Sequence, residues 1–319
     1  MINKLCRTIR ALVIILGLML SSSFSVALAT IPTEKNVLFL HAYTPDYPID
    51  RLYDQGVKSI LDKNSLYKFS YSYEYFDLAR RPNEKNYFGN MAKYLKFKYT
   101  KHQPDFIITS TALYPLVFNY GGELFPSVPV IMQWYEETVP LQVIPSNYMA
   151  IPTSVEIDDN IQLILQTRPL TKTIYMVIGD SKDEQNRVKR ILEGEKKYRN
   201  QVEFVLLNKQ PYAQMLESVK NVEGHSAILF FSWISDIAGG AFIPANVLKT
   251  ICSEAKVPVY GVASTFLGSG IVGGYLNSFE LIGQTAGNTV LGLLAGKKPS
   301  DNPVIRSTYT TLKFDWRAL

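Results

Sequence analysis

Apolar and polar positions along the chain change period many times, dividing it into short and long segments. Runs of about four to eight β-branched and aromatic residues predict strands, and segments with apolar residues three or four apart predict helices packed over them. The first run is Asn36-Val37-Leu38-Phe39-Leu40-His41, followed by a helical segment over 50–61. A strand is predicted over 69–76, then a helix carrying Tyr87, Met91 and Leu95, then strands over 105–109 and 128–132. The pattern restarts after Ile151-Pro152-Thr153, with a helix over 158–167 and strands over 173–178, 202–207, 227–231 and 257–260. An amphipathic helix over 279–295, with Ile282, Ala286 and Val290 on one stripe and Gly296 at its end, fits either half. Strands alternating with helices predict an α/β protein with two doubly wound parallel-sheet halves. The halves are alike in architecture and share no sequence repeat.

Composition narrows the class. With 319 residues, 47% hydrophobic and 19% charged, the chain is globular and long enough for two compact units with a cleft between them. Lys4, Arg7 and Arg10 precede an apolar run over 11–20 and small residues ending in Ala27-Leu28-Ala29, the pattern of an export signal cut after Ala29. The run is shorter than the roughly 20 residues that span a bilayer. Removing it takes three of the 33 basic residues and none of the 28 acids, so a net charge of +5 becomes 30 minus 28, or +2. No Lys/Arg cluster interleaved with aromatics stands out beyond the N-terminus, so attraction to membranes falls away and no nucleic-acid partner is expected. Cys6 goes with the signal, leaving Cys252 in an apolar stretch as a buried structural thiol with no disulfide partner. No cysteine stands where a lipid anchor would be attached, so the exported chain is expected to be free.

In open parallel sheets ligands bind beyond the carboxyl ends of the strands, where helix N-termini offer unpaired N–H groups. The residues just after each predicted strand are therefore the candidate site: Tyr43 and Asp46, Ser110 and Thr111, then Gln133, Trp134 and Tyr135 in the first half. In the second half they are Asp180 and Ser181, Trp233 and Asp236, and Ser264, Thr265 and Phe266. Trp134, Tyr135 and Trp233 are expected as cleft walls, since aromatics give rigid contact area to a planar or apolar ligand. Pro45 and Pro48 stiffen the loop that carries Tyr43, Asp46 and Tyr47. Asp180-Ser181 and Asp236 are equally expected as helix caps. His41 ends a strand at the cleft and is either a ligand contact or a structural residue.

The remaining chemistry is sparse. His41, His102 and His225 are too scattered for a metal site, and no G-x-S-x-G elbow or Walker loop occurs. Gly268-Ser269-Gly270-Ile271-Val272-Gly273 fits the dinucleotide pattern G-x-G-x-x-G, but the residues that follow look extended rather than helical, so no cofactor is expected. Its glycines are expected to allow close backbone approach, or a hinge, where the chain passes between domains. Glu74 and Asp77 do not share a face and make no acid/base pair; Arg80-Arg81 pair with these acids or lie in solvent.

Several short pieces in a fixed order carry a resemblance. They are Val37-Leu38-Phe39-Leu40-His41-Ala42-Tyr43 with Gly56 beyond, Glu74-Tyr75-Phe76-Asp77, Asp105-Phe106-Ile107-Ile108 and Leu124-Phe125-Pro126-Ser127-Val128-Pro129-Val130. Pro258-Val259-Tyr260, Leu267-Gly268-Ser269-Gly270-Ile271-Val272-Gly273-Gly274 and Phe314-Asp315-Trp316 follow. Together they resemble the extracytoplasmic ABC-transporter substrate-binding family of the tryptophan type, also found as the sensing domain of membrane receptor kinases and cyclases. The resemblance implies a type I periplasmic-binding-protein fold, two α/β lobes joined by several crossings. It implies a signal peptide over 1–29, a first lobe over 30–150 to which 277–306 returns, and a second lobe over 151–276 with 307–319. The stretch 308–314 would be the last crossing.

Two departures from the family matter. Ser110-Thr111 stand where many relatives carry acids, and Gln133-Trp134 where they carry a small residue. This weakens the expectation of an ammonium-bearing, amino-acid-like ligand, while hydroxyls and helix amides suit an anionic or neutral group. The leading expectation is a monomeric periplasmic binding protein that captures a small organic molecule and presents it to an ABC permease, with no catalysis. The alternative is the sensing module of a receptor kinase or cyclase system, the chain ending at Leu319 without that system's membrane helix. An enzyme using Asp46, Asp236 and His41 would lack a nucleophile, metal or cofactor.

Overall fold

The computed structural model describes residues 32–81, 86–134, 145–153 and 155–318. The expected signal peptide and Tyr135 lie outside them. The first lobe runs β1 (Thr33–His41), α1 (Pro48–Leu61), β2 (Tyr67–Tyr75), α2 (Tyr87–Tyr99), β3 (Phe106–Ser110), α3 (Tyr114–Leu124), β4 (Val130–Trp134) and β5 (Tyr148–Pro152). The second runs α4 (Ile157–Thr167), β6 (Thr173–Ile178), α5 (Lys182–Glu195), β7 (Glu203–Leu207), α6 (Tyr212–Lys220), β8 (Ser226–Ser232), α7 (Pro244–Glu254), β9 (Val259–Gly261) and β10 (Gly273–Asn277). Then come α8 (Phe279–Leu294) and β11 (Thr310–Phe314).

The first sheet has the order β2-β1-β3-β4-β5 and is parallel throughout. The second is β11-β10-β9-β8-β6-β7, parallel except for β11, which pairs antiparallel on the outer edge of β10. Without β11, both sheets share one strand order, 2-1-3-4-5. In each the chain reverses between its first and third strands, which opens a crevice at the strands' carboxyl ends. Two architecturally similar halves are therefore present, as the pattern predicted.

Burial on both faces explains the unbroken apolar strands. Along β1, Val37 and Phe39 pack with Val57 of α1 and Ile282 and Val290 of α8, while Leu38 and Leu40 pack with Leu95 of α2 and Leu116 of α3. α8 seats on α1 in the first lobe, and glycines make the approach possible. A Cβ at Gly283 would lie 2.1 Å from the Tyr53 carbonyl oxygen, and one at Gly56 2.2 Å from that of Glu280. The segment leading out of α8 then runs beside β5: Ala150 N–H donates to Pro303 O and Ile305 N–H to Ala150 O, both at 2.8 Å.

The chain crosses between the sheets after β5, after β10 and again just before β11. At the last two the strands of chain are tied together, Ser278 N–H donating to Tyr309 O at 2.8 Å. Most of the stretch expected as the last crossing is thus an edge strand, β11, and the crossing precedes it. The glycine-rich segment also differs from expectation. Gly268 (φ +81°) and Gly270 (φ +104°) use the left-handed region, but in a loop between β9 and β10 within the second lobe, not at a crossing. Every strand, helix and core residue described lies between 32 and 318, so the chain from residue 30 carries all of this packing. No helix among the described residues is long and apolar enough to cross a membrane.

Candidate ligand-binding site

The carboxyl ends of the two sheets face each other across a cavity of about 60 Å³. Tyr43, Tyr47 and Asp50, from the β1–α1 connection and the start of α1, line it from the first lobe, with Ser110 at the end of β3 and Gln133 in β4. From the second lobe come Asp183 and Arg187 of α5, Phe231 and Ser232 of β8, and Phe266. Val155, Asn277 and Phe279, at two of the crossings, close the side on which the lobes are joined. Aliphatic and aromatic side chains together supply most of the wall, and a few polar groups converge between them, the usual make-up of a small-molecule site.

The two lobes touch at this point. Tyr43 O–H donates to Asp183 Oδ2 at 3.4 Å, and its ring packs on Tyr47 at 4.6 Å between centroids. Burial, reinforced by the Asp183 charge, pushes the Tyr43 phenol well above its ordinary range. Burial also raises the Asp183 carboxyl, against the Arg187 guanidinium one helical turn away, which favours its ionised form. A groove of about 380 Å³ continues outward from Tyr43 and Tyr47, between Asp46, Asp77 and Arg80 on one lobe and Tyr212, Phe242 and Asn246 on the other.

α5 is positioned by its own first turn. Ser181 caps it in a reciprocal capping box with Glu184, whose side chain is completely buried. Glu184 Oε2 accepts from Ser181 N–H at 2.9 Å, and Oε1 accepts from Ser232 O–H at 2.7 Å and Ile234 N–H at 2.8 Å. One carboxylate thus ties the start of α5 to the end of β8 directly behind the cavity.

Behind the first-lobe wall lies a second charged group. His41, buried at the end of β1, stands between two carboxylates of α1: Nε2 is 3.1 Å from Asp54 Oδ2, and Nδ1 is 3.4 Å from Asp50 Oδ2. Its ring stacks with Tyr75 at 5.2 Å. Burial alone would lower the imidazole pKa, but the Asp54 hydrogen bond and the Asp50 charge outweigh it and the pKa is raised. Burial pushes Asp50 up from 3.8 to about 7, against the attraction of His41. Both shifts act in the same sense. A native carboxyl that keeps its proton to about pH 7 loses stability relative to the unfolded chain as pH rises from about 4, and a raised histidine loses its contribution as pH rises through its folded pKa. The melting temperature is therefore expected to fall as pH rises from about 4 to 7, with the histidine adding to the loss as pH rises further, and Asp50→Asn to flatten that slope; an unchanged slope in a pH series of melts would contradict the assignment.

The residues named from the sequence separate into groups. Tyr43, Ser110 and Gln133 line the cavity. Asp46 lies outside it in the exposed outer groove, its carboxyl held below the usual range by a hydrogen bond from Thr44. For Thr111 and Trp134 only the backbone is described; Thr111 opens a short turn after β3, and Trp134 pairs with Pro152.

The others serve the second lobe itself. Trp233 is completely buried within the lobe core, not a cleft wall. Asp236 accepts from Tyr212 N–H at 2.8 Å, Ala238 N–H at 3.0 Å and Gly240 N–H at 2.8 Å, so it pins the start of α6 and its own turn. Asp180 lies beside the cavity wall, its N–H donating to Ser235 O at 2.8 Å. Thr265 is half-buried, and its neighbour Phe266 reaches the cavity instead. Glu74 pairs with Lys98 at 2.6 Å and Asp77 with Arg80 at 3.0 Å. Cys252 is partly buried in apolar surroundings that push its thiol up to about 12, far from a nucleophile. Among the described residues no group of three His, Cys, Asp or Glu could hold a metal ion.

Two parallel-sheet α/β lobes that close on a small polar and aromatic cavity, with the chain crossing between them beside it, define a two-lobe binding protein of the type I periplasmic kind. The family model for ABC transporter substrate-binding proteins matches residues 98–316, and the chain belongs to that family. Curated proteins offer no match. Solved structures show the same fold at low identity. A conserved domain protein from Vibrio cholerae is 13% identical with a TM-score of 0.65, covering 89% of this chain and 93% of its own. An ABC domain from Streptococcus pneumoniae, in complex with L-Trp, is 15% identical with a TM-score of 0.65, covering 90% and 93%. An open, ligand-free substrate-binding protein with adhesive properties from Clostridium difficile is 17% identical with a TM-score of 0.63, covering 89% and 93%.

Proposed function

We propose that this protein works outside the cytoplasm as a solute-binding protein, capturing a small, amino-acid-like molecule between its lobes and handing it to a membrane ABC importer. The observation that carries this is the cavity itself, in which Arg187 of one lobe and Gln133 and Ser110 of the other converge between aromatic walls at both sheets' carboxyl ends. A guanidinium suits a ligand carboxylate, Asp50 and Asp183 suit an amino group, and Tyr43, Phe231 and Phe266 suit an apolar or planar body. The acids missing after the third strand are thus replaced by acids from helix first turns, which restores an ammonium-bearing ligand as a candidate. A relative of the same fold was solved with L-Trp, a molecule of this chemistry. A cavity of about 60 Å³ has room for a few waters and not for an amino acid, so a ligand enters when the Tyr43–Asp183 contact parts. The moving bodies would be 30–150 with 277–306, and 151–276 with 307–319, turning about the crossings.

The test is a calorimetric and thermal-shift screen of residues 30–319 against amino acids and aromatic acids. Arg187→Ala is expected to weaken the best hit about 100-fold, the scale for truncating one partner of a desolvated charge pair. Undiminished binding in that variant would remove the interlobe site from the reading.

A further inference from the structure

α2 turns an apolar side chain straight to solvent. Its buried residues Ala92, Leu95 and Tyr99 lie on one side, and at about 100° per residue Phe97 falls opposite them. Phe97 is 86% exposed. Lys93, Tyr94 and Lys96 surround it, with Lys101 just past the helix end, all exposed. Lys96 pairs with Glu123 across the surface, and Lys98, on the flank, with Glu74. The described residues offer Lys93 and Lys101 no carboxylate partner. The run 93–101 is therefore a lysine cluster interleaved with aromatics, contrary to the expectation that none exists beyond the N-terminus. A net charge near zero conceals it, because acids elsewhere on the surface balance the sum without neutralising this face.

We propose that this face of the first lobe docks on an anionic lipid bilayer, Phe97 entering the headgroup layer while Lys93, Lys96 and Lys101 meet lipid phosphates. A single exposed Phe is ordinary, but one at the centre of a lysine ring has the make-up of an interfacial helix. The lysine stems extend along the ring and keep their charges at the phosphate level. Position argues for a lipid surface over a protein that senses closure. Such a partner must touch both lobes, whereas α2 packs only on the first. Its C-terminal end, which bears the patch, leads into the start of β3, at the amino ends of the strands and so opposite the cavity at their carboxyl ends. Docking there leaves the cleft free to open.

The test is co-sedimentation of residues 30–319 with vesicles of phosphatidylcholine, with and without about one-third phosphatidylglycerol. Binding is expected only with the anionic lipid and is expected to fall at high salt. Lys93→Gln and Lys101→Gln should each weaken it about fivefold, and Phe97→Ser several-fold, with melting unchanged because these side chains are exposed. Equal binding to neutral vesicles, no binding to either, or binding indifferent to Phe97→Ser would overturn the proposal. A single-stranded oligonucleotide bound in place of the vesicles would assign the face to nucleic acid instead.

Discussion

Gly283→Val is expected to lower the melting temperature by about 6 to 12 °C, corresponding to about 3 kcal/mol of overpacking. α1 and α8 meet backbone to backbone. The space a Cβ at Gly283 would fill holds the Tyr53 carbonyl oxygen at 2.1 Å and the Gly56 Cα at 3.1 Å, so relief requires moving a helix, not turning a side chain. A better helix former at a mid-helix glycine gains at most about 1 kcal/mol, and sterics decide the sign. The effect extends to function, because α8 begins at Phe279, a cavity residue. Gly122→Ala is the control: a Cβ there meets nothing within 4 Å, and no loss is expected. Calorimetric melts of both variants check the pair, and equal behaviour would contradict the close packing.

The second large effect is at Glu184. Glu184→Ala leaves the Ser181 and Ile234 N–H groups and the Ser232 hydroxyl behind the cavity wall without their acceptor, at an expected cost of about 3 to 5 kcal/mol. Glu184→Gln keeps the shape but turns an amide toward a backbone donor, and about half that loss is expected. Ligand affinity should fall with both, since Ser232 and the start of α5 form the wall. Chemical denaturation of the two variants gives the order, wild type above Gln above Ala. A neutral Glu184→Ala would mean that water replaces the carboxylate.

Much of this was legible in the sequence. β6 occurs where the apolar run predicts it, α1, α4 and α8 differ from their predicted spans by a few residues at most, and α2 carries Tyr87, Met91 and Leu95 as expected. β5 is not visible in the pattern because Tyr148-Met149-Ala150-Ile151-Pro152 ends in a proline that marks the boundary between halves, whereas as the last strand of the first sheet it tolerates that proline at its end. α3 is not visible in the pattern because its apolar residues sit among Pro115, Gly121 and Gly122, a weak helical pattern that tertiary packing on β3 and β4 overrides.

The site was half legible for a geometric reason. The rule that ligands meet the residues immediately after a strand points to Tyr43, Ser110 and Gln133, which line the cavity. Asp50, Asp183 and Arg187 come instead from the first two turns of helices, whose side chains lean back toward the N-terminus and so over the cleft. A signal for two of them was present: Ser181-x-x-Glu184 marks a capped helix start, and Asp183 and Arg187 share one face of that helix. Asp236 and Trp233 stand at strand ends in sequence, yet the β8–α7 connection folds inward, and both serve the lobe's own interior.

A crystal structure of residues 30–319 with the tightest ligand from the screen would show whether a small molecule is held between the two lobes. Ligand density is expected between Arg187 and Gln133, against Tyr43 and Phe231, with the lobes closed around it. Density confined to an outer surface, with Arg187 and Gln133 untouched, would contradict it.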